Sequence, residues 1–284
     1  MRNFRHRQDE PSSPVGPAVH SLRVLSFAVL GLFLMTILLL VVADIVYLVC
    51  RGYGPADLWR TLTSDDVLSG IRLSLITSLI TLALVLVAAV PIGYALSRHR
   101  FPGQAVVNVL VDAPIVLTPV VIGLSLLAVF GTPVGSWLKA LVERAGWRLD
   151  SAIGIVLCQF LVSVSFCIRA TKASFDAVDP ELEHVALTLG CTPWQAFRRV
   201  TLPLSRGGLV AGGVMAWARA IGVFGPLMVF VGTSPRVTVM PTAMWLELNT
   251  GNVETSLIIA LVALALAGGA LAVVHWLAPG RRWL

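Results

Sequence analysis

Side chains able to do chemistry are sparse in this sequence, and their positions narrow what that chemistry can be. Within or beside its long apolar runs stand three ionisable residues, Asp44, Asp112 and Arg219. A charge at membrane depth is costly and faces protein, water or an opposite charge. Asp44 is close to the end of its run, where the membrane interface accounts for it. Arg219 follows Arg206 by 13 residues, about 20 Å along a helix that rises 1.5 Å per residue. Asp112 lies about 12 Å along its own run from Gln104 by the same rise. Arg219 therefore either pairs with a carboxylate such as Asp112 or lines a path for an anion, and the spacing leaves both open. Covalent chemistry has less to stand on. Ser125 follows a Gly-Leu pair, but no histidine lies deep in a run to serve as its base: His99 falls in a turn and His275 near the end of the last run. Cys50, Cys158, Cys167 and Cys191 include no C-x-x-C pair. Thiols in apolar runs act as small hydrophobes, so neither a metal site nor a disulfide framework is expected. No G-x-x-x-x-G-K-[ST] loop occurs, so the chain lacks the usual cradle for ATP phosphates and is not expected to be an enzyme.

The elements that must hold these residues are membrane helices. Of the 284 residues 57% are hydrophobic and 13% charged, with mean hydropathy +0.86, against roughly 25% charged in soluble domains. The expected fold is an all-α integral membrane protein with six transmembrane helices, near 24–50, 71–97, 104–130, 151–169, 207–232 and 254–277. These runs are continuous, not alternating, which excludes a β-barrel. Residues 1–22 form a polar tail, and 23–284 the transmembrane domain. The first apolar run, Val24 to Ala43, is longer than the roughly 7–15 residues of a signal-peptide core and is expected to be an uncleaved span. Thirteen Lys and Arg residues fall in the tail, the 98–103 turn, the 169–206 segment and the C-terminus, and seven on the other side. This excess places both termini in the cytoplasm. It also accounts for the net charge of +6 without nucleic acid. Pro91, Pro114, Pro119 and Pro226 interrupt spans two, three and five, and Gly123, Gly212, Gly213, Gly222 and Gly225 allow close helix approach. Spans three and five are expected to bend, with Pro119 and Gly225 beside Asp112 and Arg219 as candidate pathway residues. A secondary transporter working alone would show repeats around a midplane site, and no internal repeat is apparent.

Polar residues return between the fourth and fifth spans, in "ELEHVALTLGCTPWQAFRRVTLP", residues 181–203. Asp179 suits an N-cap and Pro180 the first helical position. Glu181 and Glu183 complement the positive end of the helix dipole. Leu182, Val185, Ala186 and Leu189 recur at helical spacing as one apolar face, and Gly190 is a natural stop. Thr192, Pro193 and Gln195 form a capping-box pattern for a second helix, which Pro203 is expected to end. The spacing predicts helix, sharp turn, helix along the membrane surface. Such a block could hold lipid, act as a rigid connector or dock a protein.

This stretch resembles the EAA motif of permease subunits from binding-protein-dependent ABC importers. In that motif nine residues separate a glycine from Ile-x-Leu-Pro. Here Gly190 is followed by nine residues and then Val200-Thr201-Leu202-Pro203. The E-A-A positions fall on His184, Val185 and Ala186, and Glu183 stands one position earlier. "DAPIVLTPVVIGLSLLAVFG" (112–131) and "WQAFRRVTLPLSRGGLVAGGVMAWARAIGVFG" (194–225) are similar to the molybdate/sulfate-type branch, in which the "GVFG" at Gly222–Gly225 more often reads "GEFG". The similarity covers roughly residues 70–277.

The resemblance implies an ABC importer permease for a small oxyanion: molybdate, tungstate or sulfate. It implies a cytoplasmic coupling loop, 170–206, that docks into a dimer of separate ATPase subunits, which bind the ATP and Mg. The docking residues would be Glu183, His184, Ala186, Gly190, Thr192, Trp194, Phe197 and Arg198. It further implies a second permease subunit, forming a homodimer, an extracytoplasmic solute-binding protein, and residence in a bacterial or archaeal cytoplasmic membrane.

Overall fold

A computed structural model describes residues 16–144, 152–232 and 238–277, and these divide into two units at Tyr53. The first unit is one helix, α1 (Gly16–Cys50). From Val24 to Cys50 it is apolar, and its most apolar stretch has no buried residue. The Arg51 guanidinium sits over the Tyr47 ring, 5.4 Å from its centroid.

The second unit holds α2 (Pro55–Leu62), α3 (Asp65–Arg98), α4 (Gln104–Val116), α5 (Pro119–Gly131), α6 (Pro133–Arg144), α7 (Ala152–Asp176), α8 (Pro180–Thr188), α9 (Pro193–Ala196), α10 (Leu202–Ile221), α11 (Gly225–Phe230), α12 (Met240–Asn249) and α13 (Val253–Leu277). No strand occurs among the described residues. Among the described residues, three helices are long and apolar enough to cross a membrane: α1 over 24–50, α3 and α7. Helices α4 and α5 together make a fourth if counted as one bent span.

The order of burial identifies the central helix. In their most apolar stretches α7 is 56% buried and α3 33%. Helix α7 packs between α3 and α10 and also meets α4, α5 and α11. Val85, Ala89 and Leu96 of α3 close on Cys167 and Ile168 of α7 and Ala216 of α10. A second cluster joins Ile122 and Leu126 of α5 to Ile155, Cys158 and Val162 of α7 and Leu227 of α11. Val67, Ile221, Met240 and Ile259 join α3, α10, α12 and α13.

A polar seam runs inside this apolar packing. Ser74, Thr77, Ser78 and Thr81 recur every three or four residues, so they share one face of α3, and all are buried. Thr81 donates to Gln159 Oε1 of α7 at 2.9 Å, and Gln159 Nε2 donates to Thr77 at 3.4 Å. Trp217 Nε1 of α10 donates to Ser78 Oγ at 3.1 Å. The Met240 backbone N–H donates to Ser74 Oγ at 2.7 Å. With few polar competitors in lipid, such bonds tie α3 to α7, α10 and α12.

Two expected spans are interrupted, and another runs past its expected end. The third, 104–130, is broken: α4 and α5 meet at 110°. Leu117 and Thr118 are both extended, with ψ of 136° and 140°. Thr118 precedes Pro119, whose ring disfavours a helical residue before it. The fifth, 207–232, begins at Leu202 and ends at Ile221; Gly222–Phe224 interrupt it before the short α11. Helix α3, by contrast, runs through Pro91 unbroken. The fourth span was expected to end at 169, yet α7 continues to Asp176 and brings Arg169 inside the helix.

Candidate functional site

The block after α7 is built by local chemistry. Asp179 Oδ1 accepts from the Glu181 N–H at 2.9 Å, with Pro180 first in α8. Gly190 takes φ +89°, a left-handed conformation that L side chains resist. The Cys191 N–H then reaches back to the Ala186 carbonyl at 3.1 Å and closes the helix end. Gln195 N–H donates to Thr192 Oγ1 at 3.3 Å, and the Thr192 N–H donates to Gln195 Oε1 at 2.9 Å, a reciprocal capping box.

Beyond this capping box the chain departs from the expected second short helix. Pro203 does not end it. Residues Phe197–Thr201 form a π-helical turn, and the chain passes directly into α10. The Leu202 N–H bonds to the Phe197 carbonyl, five residues back. Proline cannot donate to the carbonyl four residues before it, and the widened turn accommodates the changed register. Residues 193–221 are therefore one continuous helical element.

Helix α8 also turns differently from the expected apolar face. Leu182, Val185 and Leu189 are 47%, 55% and 78% exposed, whereas Glu183 and Ala186 are buried. Trp194 is 66% exposed and stacks at 5.5 Å on Phe197, which is buried. Of the eight expected docking residues, His184, Gly190, Thr192, Trp194 and Arg198 are exposed; Glu183, Ala186 and Phe197 face inward. The Glu183 carboxylate is engaged inside its own chain.

Both of its oxygens are engaged. Tyr94 Oη donates to Glu183 Oε2 at 2.8 Å, and Arg98 Nε donates to Oε1 at 2.8 Å. The other arm of Arg98 donates to the Val178 carbonyl at 2.9 Å. The Arg98 and Glu183 side chains are 9% and 11% exposed. Burial by itself raises the Glu183 carboxyl, but the Thr201 hydroxyl, Tyr94 and Arg98 outweigh it and hold the group below the ordinary glutamate range. The buried Thr201 hydroxyl acts from close by without reaching hydrogen-bond geometry. Aromatic rings surround this centre: Tyr94 meets Phe197 edge-on at 4.8 Å and Phe175 at 5.7 Å.

The candidate pathway residues lie on other elements. Asp112 of α4 pairs with Arg169 of α7, through both guanidinium Nε and Nη2, and not with Arg219. Arg219 instead sits over the Phe166 ring of α7, 5.7 Å from its centroid, and makes no ion pair among the described residues. Phe166 and Arg169 are one turn apart, so α7 brings both arginines to one face. At the helix breaks α5 and α11 touch closely. A Cβ on Gly123 would fall 2.8 Å from Pro226 Cα, and one on Gly225 3.0 Å from Val120 Cγ2. Pro119 opens α5 at the same junction. Asp112 and Arg219 are thus brought to α7 separately, while Pro119 and Gly225 come together.

Sequence reasoning missed Tyr94, Arg98 and Arg169. Arg98 and Arg169 count there only as inner-side charges, and nothing local marks Tyr94. The α3 seam did carry a signal, the 74, 77, 78, 81 spacing, inside a run too apolar overall to draw notice.

Comparisons with known proteins agree with this architecture. Residues 89–283 match the family described as binding-protein-dependent transport system inner membrane component. The chain is 35% identical over 254 residues to the molybdate/tungstate transport system permease protein WtpB of Thermococcus kodakarensis, covering 88% of this chain and 94% of that one. It is 32% identical over 222 residues to the molybdenum transport system permease protein ModB of Escherichia coli, covering 76% and 95%. The fold is similar to a chain of a bacterial ABC transporter involved in the import of the acidic polysaccharide alginate, with TM-score 0.68 at 17% identity, covering 90% of this chain and 96% of that one. With most of its length matched to such permeases, the chain belongs to the binding-protein-dependent inner membrane components, the permease subunits of ABC importers.

Proposed function

We propose that this permease carries a small oxyanion, molybdate, tungstate or sulfate, across the cytoplasmic membrane of a bacterium or archaeon. In this reading α10 and α13 span the membrane with α1, α3, α4–α5 and α7, giving six spans with both termini inside. Domain 23–284 forms the pathway, together with a second copy of the chain, and residues 170–206 form the coupling loop. A dimer of ATPase subunits binds that loop and holds ATP and Mg. An extracytoplasmic binding protein delivers the anion. The names of the two relatives support the oxyanion class. Arg219, with no carboxylate partner among the described residues, supports a path for anions. An arginine held on an aromatic face keeps its donors available for an oxyanion.

The observation that carries the docking reading is the outward apolar surface of α8. Leu182, Val185, Leu189 and, past the turn, Trp194 are large apolar side chains left exposed on a block whose inner residues are already packed, and grouped exposed apolar side chains mark interaction sites. Co-purification with the ATPase subunits and molybdate uptake in proteoliposomes test it. Leu189→Asp places a charge at the patch and is expected to abolish both association and uptake while leaving the chain folded in the membrane. Uptake that persists without any ATPase subunit would sink the proposal.

A further inference from the structure

We infer that Glu183 acts within its own chain, as the positioning residue that fastens the docking block to the end of α3 through Tyr94 and Arg98, and not as a contact for the ATPase. This inference rests on the docking reading of the α8 surface and adds the route by which a push on that surface reaches the spans.

The geometry leaves Glu183 little else to do. Each carboxylate oxygen already accepts a 2.8 Å bond, one from Tyr94 and one from Arg98. The residue is 8% exposed, while its helical neighbours His184 and Val185 face outward. Arg98 grips two points at once, the Glu183 side chain and the Val178 carbonyl just before α8. Tyr94 stands at the centre of a second layer, with Phe175 from the end of α7 and Phe197 from the start of the long helical element. Helix α8, the end of α7 and the Phe197 turn thus converge on one stretch of α3.

The alternative attachments of α8 are soft. At one end the chain enters through a short turn after Asp176; at the other it leaves through the left-handed Gly190. Neither can carry a sideways load into α3. The clasp can, because it joins the two elements by buried, charge-assisted bonds whose partners cannot be replaced by water.

The test uses the full-length chain assembled with its ATPase subunits in proteoliposomes, with molybdate as the probe. Subunit association, ATP hydrolysis and uptake are measured together. For Glu183→Ala and Arg98→Ala, association stays near wild type. Uptake per ATP hydrolysed falls roughly tenfold, the scale of one lost charge-assisted bond. The double variant is no worse than either single one, as expected of partners in one interaction. Glu183→Gln keeps the size and the Tyr94 bond and is expected to recover part of the coupling, so it serves if the alanine variants fold poorly. Loss of association in Glu183→Ala but not in Arg98→Ala would make Glu183 an ATPase contact and overturn the inference. So would wild-type uptake per ATP in well-folded Glu183→Ala. A wild-type chain that binds no ATPase subunit would overturn the docking reading itself, an outcome separable from failure of the variants.

Discussion

Glu183 titrates in an environment that favours its charge. Its pKa lies below the ordinary 4.5, because the nearby Thr201 hydroxyl and the bonds from Tyr94 and Arg98 outweigh the cost of burial. For a depressed carboxyl the sign is fixed: the stabilisation is complete above the ordinary value and is lost as pH falls through the lower, folded-state value. Melting of the detergent-solubilised chain should therefore weaken below about pH 4.5, the ordinary glutamate value. Glu183→Gln should melt lower at neutral pH and lose that deficit on acidification. Gly190 makes a different demand, on the backbone alone. No atom lies within 4 Å of the Cβ it lacks, yet its φ is +89°. Gly190→Ala should thus cost about 1–2 kcal/mol through backbone strain without any clash, read as a lower melting temperature with association reduced but not abolished.

At the scale of elements, close approach decides what each glycine tolerates. Gly123→Ala would drive a methyl into the Pro226 backbone of α11. Overpacking of this kind costs about 1–3 kcal/mol, and the variant should lose both stability and uptake. Gly213→Ala meets only the Leu86 and Leu82 side chains, the nearer at 3.5 Å, and should be tolerated; parallel melting curves compare the two. The same scale separates what was legible in the sequence from what was not. The Asp179 and Thr192 caps and the Gly190 stop could be read directly, since each is set by neighbours within four residues. So could bending of the third span, because Pro119 acts on Thr118 alone. The π-helical turn, the inward rotation of α8 and the Asp112–Arg169 pair were not legible. They depend on which helix packs alongside, and α7 extends seven residues past its expected end. Leu182, Val185, Ala186 and Leu189 were expected to form one apolar face, but Ala186 is buried while the other three are exposed. Only tertiary packing decides that Ala186 turns inward beside Glu183 while the three larger side chains turn outward.

For the whole molecule, orientation remains the widest expectation, and it rests on the distribution of Lys and Arg. Fusions of a cytoplasm-reporting fluorescent protein after Arg100 or Arg206 should light up, and a periplasm-reporting phosphatase should be active after Leu62. The reverse pattern would overturn the proposed topology and, with it, the place of the docking surface. The family match begins at residue 89, inside α3, and α1 forms a unit of its own. The docking block, its clasp and the helix breaks accordingly reside in the second unit.

The π-helical turn has a mechanical consequence. Because it joins α9 to α10 without a break, residues 193–221 form one rod, about 43 Å long at 1.5 Å per residue. Near its middle, Gly208 and Gly212 rest against Ser174 and Ala170 of α7, with no space for a larger residue. A displacement applied at Trp194 therefore has one uninterrupted element along which to reach Arg219, and the two residues proposed to face the ATPase and the anion share a single beam.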